Sequence, residues 1–423
     1  MPLSSRTAAF SRITAIASKR TVHAAFSWLH TNDRMLLEWQ KDLCAIPAPP
    51  FGEQARSEWM ARRFQDAGLA GVATDDIGNV LGYLPAPRLS PESTGPIVVV
   101  SAHLDTVFPM DTPLRPVVRT IDGRDRLEAP GASDNAAGVV GMLALAHALV
   151  HAKAELPAAL LFVGNVGEEG EGDLRGVRHL YSRRAALAGR IVAHIVLDGA
   201  GADSAVTQAL GSRRYQVTIA GPGGHSFTDA GTPNPITALA SALAELAATP
   251  LPEEPRTILN LGTIHGGTSV NSIPESATAT IDLRSTSTDE LVRLEVALHR
   301  AVEDSVAQWN ARATPAGKMR GLLKFSIESI GNRPAAQLAA DSPILDAIRA
   351  VDRHLGLQSG LRLGSTDANI PISLGIPSVS VGAGGEGGGA HTLAEWYDPK
   401  DRELGLRRVL LLMLAMTEWA AEQ

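Results

Sequence analysis

The residues of this chain that could do chemistry recur where apolar runs end. Ile97-Val98-Val99-Val100 is rich in β-branched residues and short enough to be a buried strand. Ser101-Ala102-His103-Leu104-Asp105 follows it. Two apart on an extended segment, His103 and Asp105 share a face. The carboxylate can then hold one imidazole nitrogen while the other meets a metal, although such a pair alone is more often a surface loop. The run 158–163 ends in Asn165-Val166-Gly167-Glu168-Glu169-Gly170. There one carboxylate can bind a metal while its neighbour, aimed oppositely, stays free as a base. A solvated acidic loop is the plain alternative. A third run, 191–197, ends at Asp198. Gly131-Ala132-Ser133-Asp134 opens a long apolar helix, and Asp134 could be an anion site or a simple cap. Finally, the strand 377–382 enters a glycine-rich stretch leading to His391. That stretch lacks the Gly-Lys-Ser/Thr ending of a phosphate loop, so it reads as backbone that delivers His391.

The elements needed to position these residues follow from the same text. Strand, acidic residue and helix repeat, which argues an α/β fold: a mainly parallel sheet with helices on both faces. Such sheets place ligands at the carboxyl ends of their strands. Helices are expected within 32–69 (broken at 47–52), 176–187, 342–355 and 401–421, with a loop at 85–96. Near residue 212 the texture changes. Segments 214–220, 257–261, 277–284 and 323–330 alternate like half-exposed strands, with helices at 235–248 and 288–311. This strand-helix-strand-strand-helix-strand order predicts an inserted α+β, ferredoxin-like domain. The alanine-rich helix could be core or a face for a second subunit. The expected division is an extension 1–32, a catalytic domain of 33–211 and 334–423, and the insert 212–333.

Composition narrows the function. A chain of 423 residues has room for two cores. Its formal charge is −7 with no Lys/Arg block, which argues against nucleic acid. No apolar run approaches the roughly 20 residues that span a bilayer. The single cysteine, Cys44, cannot form an internal disulfide, and a reducing, cytoplasmic setting fits. Residues 1–32 carry Arg6, Arg12, Lys19 and Arg20 and no acidic residue before Asp33, faintly like an organellar transit peptide. They are set aside as an extension.

Gathered at one sheet edge, His103, Asp134, Glu169, Asp198 and His391 suit two divalent ions, Zn²⁺ first and Mn²⁺ or Co²⁺ next. Three ligands per ion require one shared carboxylate and leave open positions, the mark of a catalytic site. Glu168 would then be the base acting on a water that bridges the ions.

His103-Leu104-Asp105, Gly131-Ala132-Ser133-Asp134, Glu168-Glu169, Asp198, the Gly-Gly-His-Ser around His225 and the late His391 resemble the M20 metallopeptidases. The resemblance runs in order from about residue 35 to the end. It implies one ion on His103, Asp134 and Asp198 and the other on Asp134, Glu169 and His391. It further implies that Asp105 orients His103 and that Glu168 is the base. His225, in the inserted lid, would donate to the developing oxyanion, often from the partner's lid in a homodimer. Arg284 would grip a substrate carboxylate and Asn271 would contact substrate. Gly364-Ser365-Thr366-Asp367 would line the cleft. Aspartate at 198 and the text around Glu168 look most like the tripeptide-aminopeptidase (peptidase T-like) branch, whose substrates are short peptides. The rival within the family is an N-acyl amino acid deacylase or carboxypeptidase. The rival outside its chemistry is an inactive peptide-binding protein.

Overall fold

Runs such as Ile97–His103 and Ala159–Asn165 are buried along their whole length, which explains why they are continuously apolar rather than alternating. In the computed structural model, which describes residues 3–84, 95–121, 123–182 and 189–423, they are adjacent parallel strands with His103 opposite Asn165. Two units are formed: Met1–Ala209 with Gln337–Gln423, and Leu210–Ala336.

The main sheet of the first unit runs Ala70–Thr74, Val80–Leu84, Ala159–Asn165, Ile97–His103, Ile191–Leu197, Ser378–Val381, Ser204–Ala209, with Gly360–Gly364 paired to Ser204–Ala209. The central pairings are parallel, while Ala70–Thr74 and Val80–Leu84 join antiparallel at one edge and Ser204–Ala209 meets Ser378–Val381 antiparallel toward the other. Val98 and Val100 enter the core that includes Leu143 of helix Ala136–His151 and Leu410 of helix Arg402–Ala420. Their neighbours Ile97 and Val99 enter the opposite core, with Val177 and Leu180 of helix Arg175–Ser182. Period-two alternation thus gives the sheet two helical layers. The rest of the expected helix 176–187, and most of the expected loop 85–96, lie outside the described residues.

Residues 3–31 are part of this fold rather than an appended extension. Helices Leu3–Ala17 and Arg20–Thr31 bury Ile13, Ile16, Val22, Ala25 and Leu29 in the main core. Two basic residues of this segment have partners on the C-terminal helix and tail: Arg12 meets Glu422 at 2.9 Å and Lys19 meets Glu418 at 2.7 Å. Also unforeseen is a small sheet ordered Glu386–Gly388, Trp396–Asp398, Arg124–Glu128, Val117–Ile121. It uses the polar excursion after His103 and part of the glycine-rich stretch, and it pairs Trp396 with Glu128. Among the described residues no helix is long and apolar enough to cross a membrane.

The second unit is a four-stranded antiparallel sheet, ordered Thr257–Gly266, Ser276–Ser285, Gly211–Ala220, Lys324–Arg333. Helices Pro235–Ala247 and Thr288–Arg312 supply Leu239, Leu243, Leu294 and Leu298 to its core. The apolar side of the alanine-rich helix is therefore core. A short ribbon pairs Gly224–His225 with Ser272–Ile273.

Candidate metal centre

The parallel strands end side by side, so the residues after them converge. His103 closes its strand, and Leu104 N–H donates to Asn165 O at 2.7 Å, which fixes the exit of the chain beside the neighbouring strand. The His103 Nδ1–H donates to Asp105 O at 3.1 Å, so in the neutral ring the lone pair that a metal needs lies on Nε2. His103 Nε2 is 3.1 Å from Asp134 Oδ1 and 3.7 Å from Asp198 Oδ1. His391 Nε2 is 3.0 Å from Asp134 Oδ2 and 2.9 Å from Glu169 Oε1. The two oxygens of Asp134 therefore face different imidazoles.

Three groups have ligand atoms all within 4.8 Å of one another: His103 with Asp134 and Asp198, Asp134 with Glu169 and His391, and His103 with Glu168 and Glu169. Among the described residues the ion pairs of Asp134, Asp198 and Glu169 run only to His103 and His391. Three carboxylates against two imidazoles leave an excess of negative charge, and hard oxygen and borderline nitrogen donors fit divalent ions. Burial works against charge on His103, but Asp105, Asp134 and Asp198 hold its pKa well above the usual value. Contact with Asp134 raises His391 to about 9. Burial opposes charge on Asp134 as well, yet the two imidazoles draw its pKa below the usual range.

Several supports were not legible from residue spacing. The cap of helix Ala136–His151 is Asn135, not Asp134: its Oδ1 accepts Gly138 N–H at 3.1 Å and Gly199 N–H at 3.0 Å. Asn135 Nδ2 donates to Leu197 O at 2.9 Å, so one side chain ties the Asp134 loop to the strand end before Asp198. Asp105 was expected to orient His103. Its carboxylate is 3.5 Å from Nδ1, while it accepts the backbone N–H of Glu168 at 3.0 Å and of Glu169 at 2.8 Å. Arg56, fully buried, donates to Leu104 O at 2.8 Å and to Ile46 O at 2.9 Å. Nothing in the local pattern around Arg56 marks it. For Asn135 the signal was a good cap residue just before an apolar run.

Asp367 is fully buried, and its Oδ2 accepts Asn165 Nδ2–H at 2.6 Å. It was expected, by resemblance, to line the cleft with Gly364, Ser365 and Thr366. Burial, only partly offset by the charge of His103 and the bond from Asn165, pushes its pKa up to about 7.

In the second unit, His225 and Asn271 come together: Ser226 N–H donates to Asn271 O at 3.0 Å beside the ribbon. His225 is exposed, and its Nδ1 accepts Phe227 N–H at 3.2 Å, which assigns the proton of the neutral ring to Nε2. Arg284 stands apart from them, about 26 Å along its strand from Ser276 at the usual rise per residue. Its Nε donates to Asp282 Oδ2 at 2.8 Å.

A protein-family model described as Peptidase family M20/M25/M40 matches residues 99–415. The fold is similar to that of aminopeptidase PepT from Bacillus cereus, with TM-score 0.69 and 20% identity over 92% of this chain and 99% of that one. It is also similar to a tripeptidase from Staphylococcus aureus, with TM-score 0.66 and 20% identity over 93% and 99% of the two chains. A curated relative from Aspergillus clavatus, described as a probable carboxypeptidase, is 28% identical over 273 residues. That match covers 60% of this chain and 58% of the relative's length. With the family model extending from the middle of the first buried strand nearly to the end of the last helix, the chain belongs to peptidase family M20/M25/M40, a family of hydrolases.

Proposed function

We propose that this enzyme hydrolyses amide bonds of short peptides with two divalent ions and acts as an aminopeptidase on di- and tripeptides. The observation that carries the reading is Asp134, with one oxygen toward His103 and the other toward His391. One ion would sit on His103, Asp134 and Asp198, the other on Asp134, Glu169 and His391, with Asp134 shared. Zn²⁺ suits this donor set best, followed by Mn²⁺ or Co²⁺. When bound, such ions polarise the scissile carbonyl and acidify water.

The chain's own groups do the rest. Glu168, buried at the same cluster, takes the proton of the attacking water and passes it to the leaving amine. Asp105 holds the backbone under Glu168 so that its carboxylate keeps its direction. His225 offers, on Nε2, the N–H that a developing oxyanion needs. Asp198, and the likeness of the fold to an aminopeptidase and a tripeptidase, support N-terminal release. The carboxypeptidase description of the Aspergillus relative supports a second reading, in which residues leave from the other end.

A panel of tripeptides with free, N-acetylated or C-amidated ends, with Zn²⁺, Mn²⁺ or Co²⁺ and with chelator, separates the two. Metal-dependent loss of the first residue from free and amidated peptides, with acetylated ones intact, is the expected result. Cleavage restricted to acetylated peptides, or loss of the last residue, overturns the aminopeptidase reading.

A further inference from the structure

Glu395 lies four residues beyond His391 and plays no part in the chemistry above. It is 1% exposed. Its Oε2 accepts Gly131 N–H at 2.7 Å, and its Oε1 accepts Ser133 N–H and Asp134 N–H, each at 2.7 Å. Its own carbonyl accepts Ala129 N–H at 3.0 Å. A carboxylate this deeply buried is unfavourable unless its lone pairs are used. Here three backbone donors, all from the loop that carries Asp134, use them in short charge-assisted bonds.

The two loops also meet at Gly387, where a Cβ would stand 2.3 Å from Ser133 Oγ. Between His391 and Glu395 the chain is fixed by Thr392 N–H to Gly389 O at 3.0 Å, and Trp396 then enters the small sheet opposite Glu128. The loop that bears His391 is thereby bonded through one side chain to the loop that bears Asp134.

We infer that Glu395 is a positioning residue that clamps these two loops together, so that the shared carboxylate and the late imidazole are set at their separation before an ion arrives. The inference rests on the assignment of Asp134 and His391 as ligands. Glutamate suits the task because it presents two accepting oxygens to three donors. Glutamine would keep one oxygen and turn an NH₂ group toward an N–H. Aspartate would keep the charge and fall short by one methylene.

The test is a Zn²⁺-binding isotherm on the full chain, by competition with a chromophoric chelator, alongside the melting temperature of the metal-free protein. Glu395→Gln and Glu395→Asp are expected to weaken Zn²⁺ binding about 10- to 100-fold, the usual effect of losing a group that orients a ligand. KM for a peptide substrate at saturating metal should change less than twofold, while the metal-free melting temperature should also fall, because buried N–H donors lose an acceptor. Gly387→Ala leaves Glu395 in place and presses on Ser133 instead; weaker Zn²⁺ binding in it supports the clamp even where the Glu395 variants fold poorly. Two equivalents bound with wild-type affinity in Glu395→Gln, or in Gly387→Ala, overturn the clamp while leaving the proposed function intact. A wild-type chain that binds no metal overturns both.

Discussion

Asp105 Oδ2 accepts the backbone N–H of Glu169 at 2.8 Å, and its other oxygen accepts that of Glu168 at 3.0 Å. A fully buried carboxylate therefore lies beneath two consecutive glutamates. Glu169 is extended, with φ −82° and ψ 151°, and neighbours on extended backbone aim their side chains oppositely. Glu169 reaches His391. Asp105→Asn keeps one acceptor and loses the other, so kcat is expected to fall about 10- to 100-fold with metal still bound. Asp105→Ala strands two buried N–H groups at about 1–3 kcal/mol each, which a lowered melting temperature should report.

Glu168→Gln separates holding from reacting. The variant should bind the same equivalents of metal as the parent, measured by elemental analysis after dialysis. Its kcat should drop by about 10² to 10⁴, the range lost with a general base. Unchanged kcat would assign the proton transfer to another group.

Chelation should silence the enzyme and also lower its melting temperature, since an ion bound only by the folded chain stabilises it by mass action. Restoring Zn²⁺, Mn²⁺ and Co²⁺ in turn should recover activity. The metal that restores the highest turnover need not be the one bound most tightly, because affinity follows a different order.

The sites on strand ends were readable in the sequence because burial on both faces writes a strand as an uninterrupted apolar run, and His103, Glu168, Glu169 and Asp198 sit just where such runs stop. What escaped depends on partners remote in the chain. Ile13, Ile16 and Leu29 have helical spacing, but the basic residues among them drew attention first, and their acidic partners lie near the other terminus. The bond of Asp367 to Asn165, 202 positions away, has no local mark in the text around either residue. Glu395 bonds only to backbone N–H groups, which every residue type but proline possesses, so no residue pattern could announce it.

His194 links stability to pH. It is fully buried between Tyr181 Oη at 3.0 Å and Ser101 Oγ at 2.8 Å, and burial pushes its pKa down to about 3. In the unfolded chain the value is about 6.5, so protonation favours unfolding. The contribution is whole above about pH 6.5 and is lost as pH falls from there toward 3, by about 1.4 kcal/mol per pH unit. His194→Gln should flatten the stability profile of the metal-free protein in that window, measured by urea unfolding at each pH.

Cys44 should be silent in the folded enzyme. It has no exposed surface, and burial pushes its thiol up to about 12 despite the opposing charge of Arg56. Iodoacetamide at neutral pH should leave the native chain unmodified and fully active. One equivalent should react once urea has unfolded it.

The chain leaves the first unit after Ala209 and returns at Gln337, where Leu338 N–H donates to Thr207 O at 2.9 Å. Departure and return are thus neighbours in a single sheet, so a tight turn of a few residues can replace 210–336. The unit made of Met1–Ala209 and Gln337–Gln423 is in that sense a self-closed scaffold, open to excision of its insert and to grafting of a foreign one at the same seam.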